Sequence, residues 1–218
     1  MPIILDNENM AVFTAPKVAS TTLKQLAYKV QHGKIFARHM ENGKPVHIHH
    51  IYPSVPFARI NRAKFADMRC YALVRSPLGR VISCYGNRVL AGKALQGFEV
   101  QAALRKLGLP LAPSLTEFIE NLGAYHAHSK VIRWHLRPLT VFLGHDPQFY
   151  TRVFRFDELE ALTALMAASQ TAPSAPGHFQ KSPQTVAPVA PGARAKSCLH
   201  SMFKDDYAAF GAWFEDEC

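Results

Sequence analysis

The junction between an apolar run and a helical pattern near the N-terminus constrains the fold of this sequence more than any other feature. Residues Met10–Thr14 predict a strand, and a helix is expected to begin at Ser20 or Thr21, either of which can cap it. Leucine, alanine and valine then recur at the spacing of one buried helix face, and Gly33 supplies a typical helix stop. A strand that leads into an amphipathic helix is a unit from which parallel sheets are built.

A second junction repeats this order later in the chain. Cys70–Val74 predicts a buried strand, Ser76 is a suitable N-cap, and Pro77 fits the first helical position. Strands alternate with helices throughout the sequence. This alternation favours a three-layer α/β fold in which a mostly parallel central sheet is flanked by helices.

Shorter elements are expected between and after the two junctions. The turn signal Glu41–Gly43 predicts a hairpin or extended segment over residues 34–56, and the capping box Ser114–Glu117 predicts the start of a helix. The remaining predictions are a short helix at Asn61–Asp67, strands at Val141–Leu143 and Arg152–Phe156, and helices at Asp157–Ala168 and about Leu199–Phe214.

The length of 218 residues fits a single domain over residues 1–218, and the Pro/Ala-rich composition of residues 171–196 indicates a flexible loop. The N-terminus lacks the basic leader and apolar core of a secretory signal. No apolar window reaches the roughly 18 to 20 residues of a membrane span. The four cysteines show no metal-ligand spacing, which favours free thiols in a reducing compartment. We therefore expect a soluble, cytoplasmic protein.

The chain is basic, with 25 lysine and arginine residues against 16 aspartate and glutamate residues. This balance favours anionic partners such as nucleic acid, acidic membranes or phosphorylated ligands. The basic residues are scattered and form no aromatic–basic recognition motif, so a nucleic-acid partner is not expected. One denser basic stretch either attracts an anionic ligand or is a solvated face; it contains Arg59, Arg62, Lys64 and Arg69.

The residues of the first junction have the chemistry of a phosphate cradle. A helix N-terminus offers unpaired N–H groups and a partial positive charge, and Lys17 adds a full charge at its mouth. Ala19 leaves room for close approach, and three hydroxyl side chains follow it: Ser20, Thr21 and Thr22. The order differs from the nucleotide-binding GxxxxGK[ST] loop, because the lysine precedes the small residues and glycine is absent. A capped helix that follows a surface lysine is the alternative interpretation.

The second junction carries a second pair of anion-binding side chains. Arg75 follows the predicted strand, and Ser83 lies about two helical turns further along. A guanidinium can bind a phosphate bidentately, and a hydroxyl can complete the contact. Taken separately, each side chain could belong to an ordinary helix end or polar helix face. Taken with the first junction, they indicate a ligand that carries phosphates at two positions.

These residues resemble a known family. Pro16–Leu23 looks like the 5′-phosphosulfate loop of sulfotransferases that use 3′-phosphoadenosine 5′-phosphosulfate (PAPS), particularly the carbohydrate type, and Val74–Tyr85 resembles their 3′-phosphate motif. The likeness runs from about residue 9 to 214. Weaker similarities lie at Phe154–Leu159, Phe179–Ser182, Asp206–Tyr207 and Phe210–Gly211.

The resemblance implies PAPS as sulfate donor, with no metal. It places Lys17 and the residues Ala19, Ser20, Thr21 and Thr22 on the 5′-phosphosulfate, Arg75 and Ser83 on the 3′-phosphate, and Lys181 and Ser182 in a lid over the nucleotide. Two positions depart from the family pattern. Ala19 replaces the usual glycine, which is tolerable if its backbone avoids positive φ, and Ser76 stands where an acidic residue is common.

Histidines supply the candidates for a base. Sulfuryl transfer needs a group that takes the proton of the acceptor hydroxyl, and histidine suits this near neutral pH. In an extended segment His47 and His49 would share one face and His50 the other. We expect His49, ahead of His47, to be the base; a metal site and surface or acceptor-binding histidines are the alternatives. His126 and His128 are a rival pair.

The leading hypothesis is transfer of a sulfuryl group from PAPS to an acceptor hydroxyl, with residues 34–68 on the acceptor side and a carbohydrate or glycolipid as the expected acceptor. A P-loop-type small-molecule kinase is a second possibility, although the GxxxxGK[ST] loop is missing. A basic nucleotide- or nucleic-acid-binding domain without enzymatic activity is a third.

Overall fold

The computed structural model describes residues 2–168 and 190–214. Within these ranges the strands are β1 (Ile3–Leu5), β2 (Met10–Phe13), β3 (His39–Glu41), β4 (Lys44–Val46), β5 (Arg69–Leu73) and β6 (Arg152–Phe154). The helices are α1 (Ser20–His32), α2 (Ile48–Ile51), α3 (Pro77–Cys84), α4 (Phe98–Lys106), α5 (Leu115–Glu120), α6 (Leu122–His128), α7 (Lys130–His135), α8 (Leu139–Leu143), α9 (Leu159–Ala167), α10 (Ala193–Met202) and α11 (Lys204–Phe210).

Four of the strands form a mostly parallel sheet in the order β1-β2-β5-β6. β2, β5 and β6 run parallel, and β1 is an antiparallel edge strand. The described part of the chain therefore has the mixed α/β architecture, with flanking helices, that the alternation of elements predicts. None of the described helices has the length and hydropathy that crossing a membrane would require.

Helices cover both faces of this sheet because alternate strand residues point in opposite directions. Val12 and Leu73 face α1 and α9 and pack with Leu23. Phe13 and Ala72 face the other side, where α8 and α11 supply apolar side chains. A further apolar cluster has no strand residues and joins α3 to α5, α6, α7 and α10.

The predicted hairpin is present as β3 and β4, joined by Asn42 and Gly43. Both residues have positive φ, at 50° and 73°. Two successive left-handed residues form the turn type that Asn-Gly favours between antiparallel strands. The predicted N-cap Ser76 and the capping box of Ser114 and Glu117 are likewise found, and the strand predicted at Cys70–Val74 spans Arg69–Leu73.

The histidine segment after this hairpin is not extended, and that prediction was wrong. Residues Ile48–Ile51 form one helical turn that begins after His47. The ring of His50 accepts from the N–H of His47, and the N–H groups of His50 and Tyr52 donate to the carbonyls of His47 and Ile48. These local hydrogen bonds satisfy backbone donors that a strand would have left to a partner strand.

The predicted strand at Val141–Leu143 is also wrong, because those residues belong to α8. The carboxylate of Asp206 accepts hydrogen bonds from the N–H groups of Leu139 and Thr140. A partner from a distant part of the chain thus caps the start of this helix and overrides the β propensity of the apolar run.

Two other predicted boundaries differ from the structure. The residue that precedes α1 is Ala19, and neither Ser20 nor Thr21 caps the helix with its side chain. At the other end of the chain, α10 begins at Ala193, so the last residues of the predicted loop 171–196 are helical. The part of that loop from 171 to 189, which includes Lys181 and Ser182, lies outside the described residues.

A buried ion pair holds the C-terminal helices against the second junction. Arg80 and Asp206 have fully buried side chains, and Nη1 of Arg80 lies 3.0 Å from Oδ2 of Asp206. Arg80 also donates to the carbonyl of Arg137, and Asp206 caps α8 as described. Three distant segments therefore share one network of charged hydrogen bonds.

We expect Asp206→Ala to lower the free energy of unfolding by about 3–5 kcal/mol, because it leaves the Arg80 guanidinium buried without its counter-charge. Chemical denaturation followed by circular dichroism measures this change. The matched control is Asp205→Ala, an exposed carboxylate one position earlier in α11. It should cost less than about 1 kcal/mol, the scale of a helix-end charge. Equal losses in the two variants would contradict the assigned role of the pair.

Candidate active site

The parallel pairing of β2 with β5 brings the two junctions to the same edge of the sheet. Phe13 pairs with Ala72, so the loops that follow the two strands leave the sheet side by side. The charge of Arg75 is close enough to influence the ionisation of Lys17. Two segments that are about sixty residues apart in sequence therefore meet, as a shared phosphate site requires.

The backbone of the first loop contains two left-handed residues, Lys17 with φ 68° and Ala19 with φ 55°. Val18 between them has a negative φ. Such alternation turns neighbouring N–H groups into a concave anion-binding surface. The condition under which alanine is readily tolerated at position 19, a backbone without positive φ, is therefore not met. A left-handed conformation costs a residue with a Cβ about 1–2 kcal/mol, and strain of this kind is common where a ligand is clamped.

The first turn of α1 has no side-chain cap. Ala19 precedes the helix and has no polar side chain with which to accept from the N–H groups of the first turn. Ser20 is buried and Thr22 half-buried beside these groups. The N-terminus of a 13-residue helix thus keeps donors available for an anion.

Lys17 stands half-buried at the mouth of this loop. Burial lowers the pKa of Lys17 to about 8; the positive charges of Arg88 and Arg75 act in the same direction, against the opposing influence of Cys84. None of the described carboxylates forms a salt bridge with Lys17. An anionic ligand would supply the missing counter-charge and hold the ammonium in its protonated form.

Arg75 in the second loop is oriented by its surroundings. Its guanidinium lies over the ring of Phe156, 4.2 Å from the ring centroid, in the turn that follows β6. Gly79 leaves room for it, because a Cβ there would lie 2.8 Å from Nε of Arg75. Ser83 is half-buried two helical turns further along α3. The turn after β6 and the glycine are parts of the arrangement whose roles the sequence did not reveal.

His49 lies on α2 and reaches the first turn of α1, which follows the loop after β2. Its Nε2 lies 3.1 Å from Oγ1 of Thr21, and its Nδ1 lies 3.0 Å from Nζ of Lys24. The ring stacks on that of His47 with a centroid distance of 5.1 Å. Burial is the main reason that the pKa of His49 falls to about 4, with the charge of Lys24 acting in the same direction. At neutral pH the imidazole is uncharged, as a base must be.

His47 is less available than His49. Nη2 of Arg38 lies 2.7 Å from Nε2 of His47. Because a guanidinium only donates, this nitrogen is occupied as an acceptor. Burial, then the charges of Arg38 and His50, lower the pKa of His47. Of the two histidines, His49 is the one that contacts the first turn of α1, through Thr21.

Three further basic side chains adjoin this site, although the sequence did not single them out. Lys24 contacts His49 directly, Arg88 influences the ionisation of both His49 and Lys17, and His135 influences that of His49. Burial is the chief reason that the pKa of His135 falls to about 4, although its ring donates to a backbone carbonyl. Arg88 follows Ser83 on the continuation of α3, where Tyr85–Leu90 form a π-helical turn. No sequence signal marks His135 or Lys24, since a packed fold alone brings them here.

The rival histidines and the basic stretch are placed differently. Burial lowers the pKa of His126, and the charges of Arg133 and Arg137 act in the same direction; neither arginine belongs to the loops that follow β2 and β5. His128 is exposed on the last turn of α6. The four basic residues of the predicted stretch are exposed, as a solvated face would be: Arg59, Arg62, Lys64 and Arg69.

Metal ligands are not grouped in residues 2–168 and 190–214, where no cluster of three or more histidine, cysteine or acidic side chains could hold an ion. Cys70 and Cys84 are buried and free, and Cys198 is half-buried and free. The chemistry available at this edge of the sheet is therefore that of ammonium, guanidinium, imidazole and hydroxyl groups.

Comparison with known proteins identifies the family of this chain. The model of the sulfotransferase family matches residues 2–211, almost the whole chain. No curated protein and no solved structure matches it significantly. Because the family match covers both strand–helix junctions, the sheet and the C-terminal helices, the chain belongs to the sulfotransferase family.

Proposed function

We propose that this protein transfers a sulfuryl group from PAPS to the hydroxyl of an acceptor, with a carbohydrate or glycolipid as the acceptor class. The observation that carries the proposal is the meeting of two anion-binding loops at the ends of adjacent parallel strands. Family membership makes the chain a transferase of the sulfotransferase type. The nature of the donor and of the acceptor is our inference.

The residues at the sheet edge fit a donor with phosphates at two positions. The uncapped start of α1 and the half-buried Lys17 suit the 5′-phosphosulfate. Ala19 contributes backbone, and Ser20, Thr21 and Thr22 contribute hydroxyls to the same group. Arg75, held over Phe156, and Ser83 suit the 3′-phosphate. Lys181 and Ser182 remain proposed lid residues on the basis of the family resemblance alone.

PAPS supplies the sulfuryl group and, as its leaving group, a 5′-phosphate. Lys17 faces this phosphate and stabilises the negative charge that grows on the bridging oxygen during transfer. His49 accepts the proton of the attacking hydroxyl at Nε2, the ring atom nearest the loop. The hairpin and α2, within residues 34–68, form the acceptor side because they carry His49 to the donor.

The competing functions have less support. A P-loop-type kinase would need the GxxxxGK[ST] loop, which this chain lacks. A non-enzymatic nucleic-acid-binding domain would explain the basic charge, but it would give no role to the contacts of His49 with Thr21 and Lys24. The family match favours neither. We also propose that residues 1–218 form one P-loop-like domain that acts in the cytoplasm, and that catalysis needs no metal.

The cofactor proposal predicts that 3′,5′-bisphosphoadenosine binds much more tightly than 5′-AMP, because Arg75 and Ser83 engage only the 3′-phosphate. Arg75→Ala should remove most of this preference, about 1.5–3 kcal/mol for hydrogen bonds to a charged group. Isothermal titration calorimetry measures both affinities. Arg59→Ala, which removes an exposed arginine, should leave the preference intact. Equal affinity for the two nucleotides in the unmodified protein would contradict the proposal.

The assigned base predicts that His49→Ala lowers kcat by roughly a hundredfold to ten-thousandfold, the range for a lost general base. Affinity for 3′,5′-bisphosphoadenosine should change little, because other residues hold its phosphates. Steady-state assays with PAPS and an accepted hydroxyl compound measure kcat, and calorimetry measures binding. His128→Ala, at an exposed position on α6, is the control. Unchanged turnover in His49→Ala, or a larger loss in His47→Ala, would rule out His49 as the base.

A further inference from the structure

Lys24 has a fully buried side chain in the middle of α1. No described carboxylate forms a salt bridge with it. Its Nζ instead lies 3.0 Å from Nδ1 of His49 and 3.0 Å from Oγ of Ser54. An ammonium group in such surroundings is costly unless it is paired. Burial accordingly lowers the pKa of Lys24 to about 8.

The contact with His49 links the charge of Lys24 to the position of the imidazole proton. A charged ammonium only donates, so Nδ1 of His49 must accept from it. The proton of a neutral imidazole then resides on Nε2 and points towards Thr21. In this form Nε2 has no lone pair with which to accept a proton from an acceptor hydroxyl.

Loss of a proton from Lys24 reverses the arrangement. A neutral amine has a lone pair and can accept a hydrogen bond from Nδ1–H of His49. The imidazole proton then resides on Nδ1, and the lone pair on Nε2 faces Thr21 at the start of α1. The same two contacts are kept, while the direction of donation along them changes.

We propose that Lys24 is a positioning residue whose protonation state selects the tautomer of His49, so that the pair acts as a base only when Lys24 is neutral. The inference deepens the proposed function, because it rests on His49 as the base. In the transfer step the O–H bond of the acceptor breaks and an Nε2–H bond forms. The acceptor oxygen bonds to sulfur as the bond from sulfur to the 5′-phosphate oxygen breaks.

The surroundings of His49 oppose a second positive charge. The titratable and charged groups that lower its pKa come from four elements: Lys24 on α1, His47 next to α2, His135 on α7 and Arg88 beyond α3. All are cationic when protonated, and no acidic residue acts on His49 among them. A protonated imidazole beside a charged Lys24 would place two cations 3.0 Å apart. A neutral Lys24 removes the nearest of these charges.

The direction of the resulting pH dependence follows from these charges. With a pKa of about 8, Lys24 is mostly charged at pH 7 and mostly neutral at pH 9. The fraction of molecules in which Lys24 is neutral and His49 can act as a base therefore increases as the pH rises through about 8. Lys17 also has a pKa of about 8 but must stay charged, so its titration would lower the rate instead. Saturation with PAPS holds Lys17 in its charged form, because the bound phosphate raises its pKa.

The first experiment measures kcat against pH at saturating PAPS in the full chain. The unmodified protein should show a rate that rises with pH, with a midpoint near 8. In Lys24→Met the rise should move down by at least about 1.5 pH units, towards or below the ordinary histidine value of about 6.5. Lys24→Arg, which stays charged at every accessible pH, should lose roughly a hundredfold or more throughout. Lys196→Met, at an exposed lysine on α10, should keep the unmodified profile. A midpoint near 8 that survives in Lys24→Met would overturn the inference.

The second experiment follows the tautomer itself by NMR of the unmodified protein with ¹⁵N-labelled histidine, and needs no turnover. The nitrogen shifts of His49, assigned by comparison with His49→Ala, should show the proton on Nε2 at pH 7 and on Nδ1 above pH 9. A tautomer that does not change between these values refutes the role of Lys24, even if substituted lysine variants fail to fold. A tautomer change together with full activity in His49→Ala would instead overturn the base proposed above, and with it the catalytic role of the pair.

Discussion

The parallel hydrogen bonding between β2 and β5 is the constraint on which the rest of the site depends. Because these strands are neighbours and point the same way, Lys17 and Arg75 leave the sheet at the same edge. The turn after β6, the next parallel strand, supplies Phe156 beneath Arg75. The buried pair of Arg80 and Asp206 then fixes the C-terminal helices against the second loop. The fold thus positions charged groups that the sequence holds far apart.

The sequence predicts the elements whose signals are local. Ser76 with Pro77, and the Asn42-Gly43 turn, were predicted because each depends on the conformation of a few neighbouring residues. The helical turn after His47 was missed because side-chain caps outweigh the extended preference of its apolar residues. The helix α8 was missed because its cap, Asp206, comes from the opposite end of the chain.

In the candidate site, too, residues with a local sequence signal were predicted, and residues placed only by the packing of the chain were not. Lys17, Arg75 and Ser83 were proposed as phosphate-binding residues from their positions at strand–helix junctions, and the structure brings the two junctions together. The positive φ of Ala19 was not predicted, since only the packed loop imposes it. Lys24 and His135 carried no signal, because a lysine or histidine on an amphipathic helix resembles a surface residue until its neighbours are known. Which charged groups surround His49 is therefore known only from the structure.

The central claim is that Lys17 stabilises the leaving 5′-phosphate of PAPS while an acceptor hydroxyl attacks the sulfur. Transfer of ³⁵S from labelled PAPS across a panel of glycans, glycolipids and small phenols tests it most directly. We expect a labelled ester from at least one acceptor and an equal amount of 3′,5′-bisphosphoadenosine, with the rate at least roughly a hundredfold lower in Lys17→Ala. An unchanged rate in Lys17→Ala, or no labelled ester from any member of the panel, would contradict this account.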